Sequence, residues 1–174
     1  MRRILLKIAE KAVPVLAAAF ADDPVMRWVF PNDTEARLRL LWPVVAYGHV
    51  DVGDGVAAIW RAPGESNDEG DGSGLYAACA PDELERLMDM DAAMTAVHPT
   101  EPHWYLLAIG TEPRVQGQGR GGALLAAGLE RVGDLPAYLE STNPRNVSLY
   151  QRHGFEITGT IEAHGGPPLT TMWR

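Results

Sequence analysis

The sequence predicts a mixed α/β (α+β) fold, with helices flanking a central, mostly antiparallel sheet. Three observations carry this. Apolar residues recur at helical spacing in the first third of the chain, a Gly-Asp-Gly turn joins two short apolar runs, and a glycine-rich turn sits between a buried apolar run and a second helical stretch. With 174 residues, 46% hydrophobic and 22% charged, the chain reads as one domain spanning 1–174, large enough to fold without a disulfide or structural metal.

The elements follow in order. Arg2 to Ile8 reads as a short strand, and Glu10 to Ala21 as a helix with Val13, Leu16, Ala17 and Phe20 on one face. Asp22-Asp23-Pro24 ends it, Pro24 opens a short second helix, and Asp33 caps a third that runs to about Tyr47. His49 to Val52 and Val56 to Arg61 form a hairpin about Gly53-Asp54-Gly55. Ala62 to Gly74 is polar, acidic and aperiodic, a mobile surface loop. Pro81 to Val97 is an amphipathic helix whose methionines read as core filling, and Trp104 to Ile109 is a buried strand. A helix from about Gly119 to Val132, a strand Ala137 to Ser141, a helix Pro144 to His153, and strands at Phe155 to Ile161 and Leu169 to Trp173 complete the chain.

Composition narrows the function. A net charge of −8 and the absence of basic runs interleaved with aromatics argue against nucleic acid as a partner. No apolar run approaches the length that spans a bilayer, and Cys79 is alone, so the expectation is a soluble cytoplasmic protein acting on a small molecule, with which a homodimer is compatible. Cys79 reads as a small buried hydrophobe. His98 and His103 lack a third partner, so no metal is expected.

The sharpest local feature is Gln116-Gly117-Gln118-Gly119-Arg120-Gly121-Gly122, after a strand and at a helix start. Glycines there let a ligand approach the backbone, and unpaired helix N–H groups favour an anion such as a diphosphate, with Arg114 and Arg120 adding positive charge. Two patterns fit. Gly117, Gly119 and Gly122 match a dinucleotide fingerprint with Glu140 near the ribose offset; Gln116, Gly119 and Gly121 match the acyl-CoA loop Q/R-x-x-G-x-G. The late position and the antiparallel strands around it favour CoA.

That loop, together with the spacing of Asn143, Tyr150 and Gly154-Phe155, resembles the GCN5-related N-acetyltransferase (GNAT) superfamily over about the last 70 residues. AAFADDPVMRWVFP, AAIWRAPG, EPHWYL and LESTNPRNVSLYQRHGF resemble its branch that includes puromycin N-acetyltransferase, relative to which the first strand is shortened. The resemblance implies direct transfer of an acetyl group from acetyl-CoA to a small-molecule amine in a ternary complex. It implies splaying of the strands Trp104–Ile109 and Ala137–Ser141, and pairing of the pantetheine arm with the strand edge near Ile109 and Thr111. It also implies a bulge near Ala108 or Ile109 that frees an N–H for the thioester oxygen, and Tyr150 as general acid. Asn143 serves the CoA site or caps a helix. Glu140 is the base or a cation-binding carboxylate, with His103 and Glu112 weaker, surface-exposed candidates. Trp28, Phe30 and Trp60, with Trp42 and Tyr47, either supply aromatic walls for the acceptor or pack in the core, and Asp22 and Asp23 either draw in its cation or end a helix. A CoA-binding module without catalysis and a nicotinamide-dependent oxidoreductase are the alternatives.

Overall fold

The computed structural model describes residues 2–45, 47–65 and 72–174, with side chains from residue 10 onward. Three helices lead: α1 (Arg2–Phe20), α2 (Pro24–Val29) and α3 (Thr34–Val45). Arg2 to Ile8 is therefore helical, not a strand. Leu, Arg and Lys are good helix formers, and nothing in the run stops the helix that continues through Phe20. Asp23 ends this first unit by capping α2, its Oδ1 accepting from the Val25 and Met26 amides at 3.0 and 3.1 Å.

The hairpin β1 (His49–Gly53) and β2 (Val56–Arg61) is antiparallel, with Gly53 opposite Val56 across the two-residue turn. Of the expected surface loop, 66–71 lies outside the described residues, and the short helix α4 (Ser73–Ala78), which buries Leu75, starts before the expected loop end. Six residues are too few for a periodicity to show. Then follow α5 (Pro81–Val97), β3 (Trp104–Thr111), a 3₁₀ turn at Pro113–Val115, α6 (Arg120–Val132), β4 (Ala137–Ser141), a 3₁₀ turn at Pro144–Asn146, α7 (Val147–Arg152), β5 (Glu156–Ile161) and β6 (Leu169–Trp173).

Among the described residues six strands form one sheet in the order β1-β2-β3-β4-β6-β5, with β3–β4 as its parallel pair. Such a sheet differs from the parallel doubly wound sheet that a dinucleotide site needs. Each face has its own core. On one side α1, α2, α3 and α5 bury Leu16, Phe30, Leu38 and Met90 against Ala57, Ile59 and Ala108; on the other α6 and α7 cover Ala58, Trp60, Leu106 and Leu139. Two glycines permit the close approach of helix to sheet. A Cβ at Gly110 would lie 2.6 Å from the Ala19 Cβ of α1, and one at Gly128 would lie 2.6 Å from the Trp60 Nε1 beneath α6.

Candidate active site

The parallel pair holds only at Trp104↔Ala137 and Tyr105↔Tyr138, while β2 stays paired with β3 as far as Thr111 and β6 with β4 as far as Ser141. From Leu106 and Leu139 onward the facing edges of β3 and β4 therefore separate, leaving backbone donors and acceptors open to a guest. The gap is an apolar cleft of about 150 Å³, walled by Trp42, Met90, Met94, Leu106, Ile109 and Tyr150. Ile59 and Trp60 oppose Ala108 and Leu106, so the extra residue of the β-bulge is Leu107, one position before the expected Ala108 or Ile109.

Backbone builds one end of this cleft. Gly117 and Gly119 take φ of +75° and +77°, which side chains disfavour, and a Cβ on either would meet nothing within 4 Å. Gly119 caps α6, and the first intrahelical bond is Ala123 N–H to the Gly119 carbonyl, so the amides of Arg120, Gly121 and Gly122 stand ahead of the helical ladder. Gln116 donates from Nε2 to the Thr111 carbonyl at 3.0 Å, tying this turn to the end of β3, and Gln118 is exposed beside it. The two arginines are already engaged. Arg120 pairs with Asp54 of the β1–β2 turn, and Arg114 pairs with both Glu112 and Asp54. Their hydrogen bonds, Arg120's foremost, hold the Asp54 carboxyl below its ordinary value. Glu112 is thus an ion-pair partner at the glycine turn.

Tyr150 lies along the cleft, 6% exposed, with its ring edge-on to Phe155. Burial, with a smaller contribution from the Asp23 charge, pushes its phenol well above the ordinary range. Asp23 Oδ2 accepts from Thr142 Oγ1 at 2.7 Å, so the carboxylate that caps α2 also anchors the loop after β4. Burial raises the Asp23 pKa despite these hydrogen bonds. Asp22 is exposed and sits 3.8 Å from Arg27. Asn143 caps the 3₁₀ turn, its Oδ1 accepting from the Arg145 amide at 3.1 Å; the asparagine that lines the cleft is Asn146.

Side chains build the other end. The Glu140 carboxylate is 2% exposed, and its Oε1 has no hydrogen-bond partner among the described residues; His98 Nδ1 stands 3.6 Å away. Burial first, and then the Glu140 charge, push the Tyr105 and Tyr138 phenols far up. Glu140, Asp91, Met94 and Leu107 line both the apolar cleft and a second, polar pocket of about 570 Å³ that His98, His103 and Tyr105 also line. The carboxylate is therefore at the junction of the two spaces. His103 is 8% exposed, not on the surface, and its Nε2 lies 3.2 Å from His98 Nε2.

The expected aromatic walls divide. Trp42 lines the cleft, whereas Phe30 and Trp60 are fully buried in the two opposite cores and Trp28 packs over Gly166. Phe30 and Trp60 serve packing, because no acceptor reaches a fully buried ring, and Trp28 is half-buried outside the cleft lining. Tyr47 lies over the Arg61 guanidinium, 4.0 Å from its ring centre. What the sequence reading missed is the set Met26, Leu41, Met90 and Met94, which faces the cleft. The α5 spacing makes its methionines read as core filling, whereas Met90 and Met94 border an open space and Met88 is exposed on the outer face of the helix. Cys79 is half-buried, its thiol raised by burial.

Comparisons with known proteins bear on the family and the fold. Residues 74–157 match the acetyltransferase (GNAT) domain family. A solved histone acetyltransferase HPA2 and related acetyltransferase from Corynebacterium glutamicum is 31% identical, with 99% of this chain and 91% of that one covered and a TM-score of 0.67. An N-acetyltransferase of Schizosaccharomyces pombe is 25% identical over 92% of this chain and 75% of its own length. A mycothiol acetyltransferase of Mycolicibacterium gilvum is 34% identical over 46% of this chain, which spans only 31% of that relative. The Drosophila melanogaster polyamine N-acetyltransferase shares the fold, with a TM-score of 0.65 at 18% identity over 97% of this chain and 95% of that one.

Proposed function

We propose a function that proceeds from one premise: this chain belongs to the GNAT acetyltransferase domain family. It is an N-acetyltransferase of that type, and we infer that it moves the acetyl group of acetyl-CoA onto a small-molecule amine. The observation that carries the reading is the opening of β3 from β4 directly between the glycine turn and Tyr150. Such a gap admits a narrow arm whose amides pair with the free strand edge at Ile109 and Thr111. The likeness of AAFADDPVMRWVFP and AAIWRAPG to the puromycin N-acetyltransferase branch supports a small-molecule acceptor.

The residues present fit acetyl-CoA. The amides of Arg120, Gly121 and Gly122, opened by Gly117 and Gly119, suit the diphosphate, with Arg114, Gln116, Gln118 and Arg120 around it. Bound acetyl-CoA supplies the activated acetyl thioester. The backbone at Leu107, released by the bulge, is our assignment for holding the carbonyl oxygen as it gains negative charge. Tyr150, buried and held protonated, donates to the leaving sulfur. Glu140, at the junction of cleft and pocket, receives the proton of the incoming ammonium. The acidic balance of that pocket, with Glu65, Asp91, Glu101 and Glu140 against Arg61, favours a cationic acceptor.

Calorimetric titration with acetyl-CoA, followed by thiol release across a panel of amines, tests this. Saturable binding and amine-dependent release are expected. Binding without release for any amine would leave a CoA-binding module in place of an enzyme, and no binding would end the reading.

A further inference from the structure

The inference deepens the proposed function and rests on it. His103 Nδ1 lies 2.6 Å from the Glu101 carbonyl oxygen. A carbonyl only accepts, so this nitrogen carries a hydrogen. The two Nε2 atoms of His98 and His103 are 3.2 Å apart, so one of them must also carry a hydrogen. If His103 is neutral, its Nε2 is bare and His98 donates from Nε2. His98 Nδ1, 3.6 Å from Glu140 Oε1, is then bare as well unless His98 is an imidazolium. If His103 is the imidazolium, it donates to His98 Nε2, and a neutral His98 carries its hydrogen on Nδ1, facing the carboxylate. Either way, a hydrogen between His98 and Glu140 requires one proton more than two neutral rings hold. Without it, a bare ring nitrogen confronts Glu140 Oε1, which makes no hydrogen bond among the described residues although the Tyr105 and Tyr138 phenols lie near the same carboxylate.

The surroundings leave this proton no other carrier within the cluster. Tyr105 and Tyr138 stand edge-on to His98 at 4.9 and 5.1 Å, and Trp173 lies 5.4 Å from His103. Both phenols stay protonated at neutral pH. From α5 and the β2 end, Asp91, Arg61 and Glu65 line the pocket into which the pair opens.

We propose that His98 forms a proton exit for the acceptor amine: Glu140 takes the ammonium proton and passes it to His98, which gives it to water in the polar pocket, while His103, its Nδ1–H fixed on the Glu101 carbonyl, holds the His98 ring through Nε2. The step balances. The ammonium loses one proton to this chain of groups; its nitrogen then bonds to the acetyl carbon as the carbon–sulfur bond breaks. The second proton shed by nitrogen replaces the one that Tyr150 gives to sulfur. One proton per acetyl group reaches solvent. His98 faces Glu140 and His103 faces His98; both act through Glu140 rather than on the acceptor and are positioning residues.

Two measurements on the intact protein decide it. Nitrogen-15 spectra of the histidine rings should show a hydrogen fixed on His103 Nδ1, and Glu140→Gln should shift the His98 Nδ1 resonance that faces the carboxylate. In kinetics, His98→Ala should lower kcat/KM for benzylamine, an ammonium at neutral pH, by about 10²-fold. That loss should narrow as pH rises, and added imidazole should restore part of it, with acetyl-CoA affinity unchanged. For 4-methoxyaniline, already a free base, the variant should stay close to wild type. Equal losses for both amines at every pH would overturn the proposal, as would a His98 Nδ1 resonance indifferent to Glu140→Gln. Failure of the wild-type protein to acetylate either amine would count against the function, and the spectra alone would then decide the relay.

Discussion

The two ends of the cleft are built from different material. At the glycine end the contacts on offer are backbone amides at the start of α6, set by positive φ at Gly117 and Gly119 within one short segment. At the Glu140 end they are side chains from α5, the segment after it, β3 and β4, gathered over more than forty residues of chain. A backbone site is broken by adding atoms, whereas a side-chain site is broken by changing charge or proton count. The two ends should therefore fail in separable ways, the first in affinity and the second in rate.

The largest expected effect is at the glycine end. Gly119→Val places a β-branched residue at φ +77° and disturbs the amides that follow. Loss of two charge-assisted hydrogen bonds, at about 1.5–3 kcal/mol each, weakens acetyl-CoA binding by about 10²-fold or more, read by calorimetry. Next come Glu140→Gln and Tyr150→Phe, each expected to lower kcat by about 10²-fold with acetyl-CoA affinity preserved. A parallel loss of affinity in either variant would erase the distinction between the ends.

Smaller effects sharpen the comparison by loosening the scaffold behind each end. Gly128→Ala inserts a Cβ 2.6 Å from the Trp60 Nε1, and the fully buried indole has little room to give. Overpacking of about 1–3 kcal/mol outweighs the gain in helix propensity, so the melting temperature should fall. Thr142→Val removes the hydroxyl donor to Asp23, at about 1 kcal/mol, with its main effect on stability. The Asp23 pKa is raised in the folded state above 3.8, so its contribution is fully present below that pH and is lost as pH rises through the raised value. Denaturant titrations at stepped pH should show Asp23→Asn gaining on wild type across that window. A constant difference between the two would mean that the carboxyl is not shifted.

Legibility in the sequence follows the same division. The turn from Gln116 to Gly122 was readable because each requirement is local: a helix start, a glycine where φ is positive, and a strand just before. The bounds of α5, β2, β4 and β6 were equally readable from periodicity and turn residues. Trp60 shows the opposite case. Composition marks it as an aromatic, yet its place under Gly128 depends on which face of β2 meets α6. The strand expected at Arg2 to Ile8 failed because a short apolar run carries no unambiguous period, and the adjoining helix extended through it.

By itself the sequence determined the order of the elements from α2 onward, α4 excepted, the αL turn that opens α6, and the family to which these belong, because neighbouring residues meet those demands through dihedral preference and hydrogen bonding alone. Only the tertiary structure decided that Glu140 is buried facing His98, that Asp23 binds Thr142 across 119 positions, and that Met90 and Met94 of α5 border a cleft. Those facts arise from the divergence of β3 and β4 and the packing of helices over the gap, and no local signal records which distant side chains a splayed sheet brings together.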